Sequence, residues 1–190
     1  WTYYLIDISV YAGDTVRFAF HIEENGDGSA KGGWYVDDIC LREGSCDYWE
    51  AEGFEDDFRC WYADRGVWQI GWPFEGPSRP YEGVRCAGTV LNGPYQRWAD
   101  SRLISPACSL SASPEENALW LSFKHHFEFR NADYGCVEIS VDDGDTWQAI
   151  SDSFYHVGSG WTHYVIDLSI YAGQSVRFAF HIVDDGDGSA

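Results

Sequence analysis

Apolar and polar residues alternate along most of the chain, and this pattern predicts β-strands. In residues 15–23 every second side chain is apolar, namely Val16, Phe18, Phe20 and Ile22. Side chains two positions apart point to the same face of a strand, so this segment reads as a half-buried strand. Residues 1–10 alternate in the same way, and helical periodicity is nearly absent. The pattern predicts an all-β protein built as a two-sheet sandwich.

The longest alternating segments lie in the second half of the chain. Residues 119–129 place six side chains on one face, namely Leu119, Leu121, Phe123, His125, Phe127 and Phe129. Residues 135–141 add Val137, Ile139 and Val141. These segments predict long strands, and the hairpin that follows them at 140–147 has an acidic, Gly-containing turn that caps the strand pair. Residues 50–118 are rich in Gly, Pro and Trp, and we expect loops and short strands there.

The chain also repeats itself. Residues 1–30 and 161–190 are identical at 21 of 30 positions, at a distance of 160 residues. Self-similarity at a fixed period is typical of tandem repeats. We therefore expect the chain to be part of a longer repetitive protein: residues 1–41 form the C-terminal part of one repeat, 42–45 a short linker, and 46–190 the next repeat without its last strand. A linker that short would bring neighbouring repeats into contact.

The strand that the second repeat lacks has a predicted role in assembly. Its copy in the first repeat, within residues 31–41, carries Trp34, Tyr35, Val36 and Ile39. A sandwich without it would expose apolar side chains and unpaired backbone groups. Either chain continuation or a strand donated by another copy could fill the gap. Both routes predict that the chain associates head to tail with copies of itself, which gives an open filament.

Charge limits the partners that this protein can have. The net charge is −19, with two lysines and ten arginines, so its surface would repel nucleic acids and anionic membranes. No apolar run is long enough to insert into a bilayer. Divalent cations are more suitable partners, and the alternative is that the acidic surface simply keeps an extracellular protein soluble.

The six cysteines predict an oxidising location. They are Cys40, Cys46, Cys60, Cys86, Cys108 and Cys136. An even number in an acidic, β-rich chain favours disulfides and an extracellular or cell-surface protein. No C-x-x-C pair is present, which argues against a zinc ribbon or a thioredoxin-type site. The sequence does not choose among the disulfide pairings.

An ordered series of short motifs is similar to a known family. Seven motifs follow one another at 54–55, 66–71, 76–77, 101–106, 121–123, 137–147 and 171–173. The motif that closes the series lies at 33–39, in the part of the chain that belongs to the preceding repeat. In this order they resemble MAM-like jelly-roll domains, such as those of immune inhibitor A-type secreted metalloproteases and large bacterial surface repeat proteins. The resemblance implies an antiparallel jelly-roll β-sandwich that binds, adheres or acts as a spacer. The segment 140–147 also resembles the Asp-box turn of sialidases. That turn stabilises a β-hairpin and implies no glycosidase activity.

The same resemblance implies a structural calcium ion. In the similar domains, a Glu near the first strand and an Asp in the last strand share the ion, which corresponds here to Glu55 and to Asp37 or Asp38. Calcium prefers oxygen ligands, so carboxylates suit it. The alternative is that these acids cap strand ends in solvent.

A second acidic cluster contains Asp184, Asp185 and Asp187, and the first repeat has its counterpart at 24–28. It lacks the spacing and the final Glu of an EF-hand. A turn accounts for the glycines in this cluster, and metal binding is the alternative.

The histidines suggest structural roles. His125 and His126 are adjacent on a predicted strand and must face opposite ways, whereas His21 and His181 share one register in the two copies. The motifs of zinc proteases, serine hydrolases and P-loop proteins do not occur in the sequence. We therefore expect no catalytic residues and a protein that is not an enzyme.

Clustered aromatic residues leave two interpretations open. Trp61, Tyr62, Trp68, Trp72 and Tyr81 could stack on sugars, or they could cover the ends of the sandwich. The first hypothesis for function is a structural or adhesive repeat of an extracellular bacterial filament, stalk or surface protein. The alternative is a carbohydrate- or protein-binding accessory module of a secreted hydrolase.

Overall fold

A computed structural model describes residues 17, 19–28, 33–42, 51–56, 61–110, 119–130 and 132–189. The side chains of 24–28, 37, 38, 40–42 and 185–189 lie outside this description, as do the predicted strand at 1–10 and the predicted linker residues 43–45. The strands, in chain order, are β1 Ala19–Gly28, β2 Gly33–Arg42, β3 Tyr62–Ala63, β4 Gln69–Gly71, β5 Cys86–Gly88, β6 Asp100–Ile104, β7 Cys108–Ser109, β8 Trp120–Glu128, β9 Tyr134–Ser140, β10 Gln148–Ala149, β11 Phe154–Tyr155, β12 Thr162–Asp167 and β13 Ser175–Ser189.

The described strands form two sheets, which confirms the all-β prediction. The smaller sheet has the order β12, β8, β2, β5, β4. The larger one contains eight strands in the order β10, β9, β13, β1, β6, β3, with β11 also paired to β9 and β7 to β13. The other described strands pair antiparallel, whereas β1 and β13, the two copies of the repeated segment, run parallel to each other. A 3₁₀ turn at Ser169–Tyr171 leads into β13.

The two copies lie at one position of the larger sheet. They run parallel and in register, and the ring of Phe20 overlaps that of Phe180 just as His21 overlaps His181. Both strands also contact both β6 and β9. Neighbouring strands stand about 4.8 Å apart, so strands that coincide share a single position. We call this position the shared slot; it lies between β9 and β6, and only one copy can fill it at a time.

The two copies bond to the strands beside the shared slot in different ways. The β1 copy pairs with β6 from Asp100 to Ile104. The β13 copy reaches the two ends of the same strand, because Ser105 N–H donates to the Phe178 carbonyl and Asp184 N–H donates to the Ala99 carbonyl. On its other side β13 pairs with β9.

The core lies between the sheets and is largely aromatic. The Phe180 ring makes edge contacts with Phe123 and Trp34 of the smaller sheet, at centroid distances of 5.0 and 5.4 Å. The predicted alternation holds through β8 and β9, where Val137 and Ile139 are buried. The prediction for Val141 was wrong, because this residue follows β9, where the chain enters the acidic turn, and its side chain is 49% exposed.

Strand β2 occupies the middle of the smaller sheet, between β8 and β5. Tyr35 lies opposite His126 on one side and Gly88 on the other. All four residues of the predicted assembly strand, Trp34, Tyr35, Val36 and Ile39, are buried. In this chain the segment therefore packs in the same sandwich as residues 61–189.

Candidate functional site

The outer face of the larger sheet carries an unusual number of buried polar side chains. Alternation turns the apolar residues of β9 and β13 inward and leaves His181, Cys136 and Glu138 on the opposite face, yet all three are buried. His181 lies directly across from Cys136, and Glu138 lies across from Ala179. The small Ala179 side chain leaves room for Glu138 to reach the imidazole.

The imidazole at the centre of this cluster contacts two carboxylates. His181 Nδ1 lies 3.2 Å from Glu138 Oε1, and His181 Nε2 lies 2.7 Å from Asp100 Oδ1. In the other copy, His21 Nε2 lies 3.1 Å from the same Asp100 atom, and His21 Nδ1 lies 3.6 Å from Glu138 Oε2. Either copy therefore supplies one imidazole to the same place.

Arginines fix the two carboxylates from behind. Arg102 Nε donates to Glu138 Oε2 at 2.7 Å, and the Arg102 guanidinium lies over the Trp147 ring at 5.8 Å. Arg65 pairs with Asp100. Each carboxylate is thus oriented by a cation on one side and faces the imidazole on the other.

Burial sets the protonation of the cluster. It lowers the pKa of His181 well below its usual value, so the ring is neutral. Burial, reinforced by the charge of Glu138, raises the pKa of Cys136 well above its usual value. Burial also raises the pKa of Glu138, against the opposing effect of Arg102. A reactive thiol needs a lowered pKa and access to solvent, so Cys136 does not suit a nucleophile.

The donor atoms of the cluster suit a transition metal. A histidine nitrogen, the Cys136 sulfur and a Glu138 oxygen all lie within 4.8 Å of one another. Nitrogen, sulfur and carboxylate oxygen are the atoms that zinc binds in proteins. The sequence prediction assigned only structural roles to His21 and His181 and treated Cys136 as a disulfide candidate. It did not single out Asp100 or Glu138.

The predicted calcium ligands are only partly described. Glu55 is exposed, and its Oε1 accepts hydrogen bonds from the backbone N–H groups of Val84 and Arg85, both at 2.9 Å. The side chains of Asp37 and Asp38 lie outside the described residues, although their backbone belongs to β2. Calcium at this pair stays a prediction.

The second acidic cluster forms a strand, so the predicted turn was wrong. β13 continues to Ser189, and its ladder is extended where Asp184 N–H reaches the Ala99 carbonyl. The Asp184 carboxylate is buried and accepts a hydrogen bond from Trp98 N–H. The side chains of Asp185 and Asp187 lie outside the described residues.

Among the residues that the structure describes, the cysteines form no disulfide. Cys108 and Cys136 are free thiols. Cys86 Sγ lies 3.8 Å from the Gly71 carbonyl oxygen. The side chains of Cys40, Cys46 and Cys60 lie outside the described residues, so disulfides at those positions stay a prediction.

The other histidine pair sits on β8. His125 points into the core, where its Nδ1 accepts a hydrogen bond from Trp34 Nε1 at 3.0 Å. His126 points to the other face, against Tyr35 and Trp161. The two face opposite ways, as the alternation predicted.

The clustered aromatic residues do not form one platform. Trp61 and Trp68 are buried in the core. Tyr62 and Trp72 are exposed, and Tyr81 packs against Trp161. The interpretation as a cover for the sandwich therefore holds for the two buried rings.

The acidic turn after β9 is held by its own side chains. Asp142 Oδ1 accepts from Thr146 N–H at 2.9 Å and from Ser140 Oγ at 2.6 Å, while Ser140 Oγ accepts from Gly144 N–H at 2.8 Å. The hydrogen bonds that the Asp142 carboxylate accepts, first from the Ser140 hydroxyl and then from the hydroxyl and N–H of Thr146, lower the pKa of Asp142 to about 2. The geometry is that of a self-contained turn.

Comparison with known proteins gives one informative match. No protein family model matches the chain, and no solved structure does. The chain is 30% identical over 141 residues to Bacillopeptidase F of Bacillus subtilis (strain 168). The match covers 70% of this chain and 10% of that protein, so the chain spans about a tenth of the length of its relative. Within the part of the chain that the structure describes, none of the helices has the length and apolarity needed to cross a membrane.

Proposed function

We propose that this chain is a non-catalytic, extracellular accessory module of a secreted hydrolase, built as a MAM-like jelly-roll sandwich. The observation that carries the proposal is the match to a peptidase of which the matched region is only 10%. A region that makes up a tenth of a peptidase is expected to be an accessory to the rest of that protein. The sequence also contains none of the motifs of hydrolase active sites.

Three exposed aromatic side chains are candidate contacts for a protein or carbohydrate ligand. Phe74 is 74% exposed and Trp98 is 68% exposed. Trp72 is also exposed and follows β4, at the edge of the smaller sheet. Large exposed aromatic rings are common in the binding sites for both proteins and carbohydrates. Basic ligands are favoured over acidic ones, because the chain carries a net charge of −19.

A fusion experiment tests the accessory role. The chain would be fused to a peptidase catalytic domain, and hydrolysis would be measured on an insoluble protein and on a short soluble peptide. We expect faster hydrolysis of the insoluble substrate and no change on the peptide. Trp98→Ala should remove the gain, and Ile170→Ala, at an apolar residue that is at least as exposed, should keep it. Equal rates with and without the module would contradict the proposal, and a gain on polysaccharide beads alone would assign a carbohydrate ligand.

The shared slot favours a second candidate function, namely assembly of an adhesive or structural filament by tandem repeats. One chain carries two strands that fit one slot, and the displaced strand can fill the same slot of another copy. Strand β2 follows β1 directly, so the two could move together, one into each sheet of the acceptor. The result would be head-to-tail association.

Core substitutions test this exchange, because each copy contributes one phenylalanine to the same place. Losing a buried phenylalanine costs about 3–5 kcal/mol. If the copies are interchangeable, Phe20→Ala and Phe180→Ala should each leave the melting temperature nearly unchanged, while the double variant should unfold. Sedimentation should also show species heavier than the 21.5 kDa chain. A monomer at every concentration, destabilised by only one of the two single substitutions, would rule out exchange.

A further inference from the structure

The buried cluster on the outer face of the larger sheet has no role in the proposed module. We propose that it is a zinc site, formed by Nδ1 of the histidine in the shared slot, Cys136 Sγ and Glu138 Oε1. The histidine is His181 or its equivalent His21. The inference does not depend on the proposed accessory role.

The ligand set comes from three positions that the register brings together. The histidine and Cys136 face each other across β13 and β9, and Glu138 lies two residues further along β9 on the same face. Their donor atoms lie within 4.8 Å of one another. In the β13 copy, His181 Nδ1 lies 3.2 Å from Glu138 Oε1 and 3.5 Å from a guanidinium nitrogen of Arg102. A metal ion between Nδ1 and Oε1 would replace the direct contact of these two atoms.

The surroundings resemble the outer shell of a metal site. A histidine that binds a metal usually donates its other ring N–H to a carboxylate, which fixes the ring and its tautomer. Here Nε2 of His181 lies 2.7 Å from Asp100 Oδ1. Arg102 binds Glu138 Oε2 at 2.7 Å and so leaves Oε1 on the side of the imidazole.

The chemistry of the donors selects the metal. A thiolate and an imidazole favour zinc over calcium, which takes oxygen ligands. One thiolate and one carboxylate carry two negative charges, which match a divalent ion. The site is therefore separate from the calcium site predicted at Glu55.

Cobalt(II) is a suitable probe, because a bound thiolate produces a charge-transfer band in the near ultraviolet. The reduced, metal-free 190-residue chain would be titrated with Co²⁺. We expect this band to saturate at one ion per chain and to disappear when Zn²⁺ is added. The result needs no variant, so it stands even where a substitution impairs folding. A spectrum without the band would overturn the proposal.

Matched variants identify the ligands. Cys136→Ser should abolish the band, whereas Cys108→Ser should keep it, since Cys108 is also a free thiol but lies outside the cluster. His21→Gln and His181→Gln should each leave Zn²⁺ binding largely intact, because either copy can fill the shared slot. The double variant should lose most of its affinity for Zn²⁺. Asp100→Asn should weaken zinc binding about 10–100-fold by loosening the ring. A band unchanged in Cys136→Ser would assign the metal to another site and overturn the proposal.

Discussion

The buried His125 should make the protein unstable in mild acid. Its Nδ1 accepts a hydrogen bond from Trp34 Nε1, so the ring must be neutral there, with its proton on Nε2. Protonation would place an N–H against the Trp34 N–H and break the bond. Burial, with a smaller effect from His126, lowers the pKa of His125 from 6.5 to about 3.

The size of the effect follows from the two pKa values. The unfolded chain takes up a proton on this histidine below about pH 6.5, while the folded chain does so only near pH 3. Stability is therefore fully present above pH 6.5 and is lost as the pH falls toward 3. At 1.36 kcal/mol per pH unit, the folded state loses about 2 kcal/mol between pH 6.5 and 5. His126, whose pKa burial lowers to about 4, should contribute a similar amount.

The substitution His125→Asn separates this effect from all other titrations. The asparagine carbonyl oxygen can take the place of Nδ1 and accept from Trp34, but it does not titrate. The variant loses the packing of the ring against Phe123 and Phe154, so it should be less stable at pH 7. The loss of stability on acidification should nevertheless be smaller by about 2 kcal/mol at pH 5.

Urea unfolding at pH 7 and at pH 5, followed by tryptophan fluorescence, measures the difference. A control is His156→Asn, because His156 is exposed and has a φ of +63°, which asparagine adopts readily. The control should keep the pH dependence of the wild type. If His125→Asn lost as much stability between pH 7 and pH 5 as the wild type, a neutral buried His125 would be refuted.

Three further results are expected. Gly83→Ala should lower the free energy of unfolding by about 1–3 kcal/mol, since Gly83 has a φ of +65° and a Cβ there would meet the Glu55 carboxylate. The control Gly66→Ala, where φ is +69° and the space around the Cβ is open, should lower it less. Equal free energies of unfolding for the two variants would refute the contact with Glu55. Asp142→Ala should speed amide hydrogen exchange in the turn after β9. In the wild type, because the pKa of Asp142 is lowered to about 2, the protection of these amides should fade as the pH falls from 3.8 toward 2. Unchanged exchange in the variant would contradict the hydrogen bonds to Asp142. Removing bound metal with EDTA should lower the melting temperature, and adding back Ca²⁺ but not Zn²⁺ should restore it if the predicted structural calcium ion is present; an unchanged melting curve after verified metal removal would count against that ion.

The sequence predicted the parts of the fold that depend on local alternation. Residues 119–129 read as a long strand because six alternate positions are apolar or aromatic, and β8 lies there with His125 inward and His126 outward. The segment at 184–188 was misread, since Gly and Asp favour turns. There the backbone of Asp184 continues the ladder to Ala99, and strand pairing overrides the local preference.

The buried polar cluster was not predictable from the sequence. Cys136 and Glu138 come from β9, His181 from β13 and Asp100 from β6, and these strands are separated in the chain. The register between these strands depends on the topology of the whole sheet, which the sequence pattern does not specify. The signal that could have found the cluster is a polar residue recurring on the outer face of consecutive strands.

The differences between the two copies of the repeated strand, β1 and β13, indicate that both faces of this strand make contacts that restrict its sequence. Nine of the 30 aligned positions differ, yet residues 16–22 and 176–182 are identical. Packing explains why the inward residues match, since Phe20 and Phe180 fill the same core position. The outer-face position immediately after the identical run differs, with Glu23 in one copy and Val183 in the other. The histidine that precedes this difference is the same in both copies because it contacts Asp100 and Glu138 on the outer face, and a bound metal would constrain it as strictly as the core constrains phenylalanine.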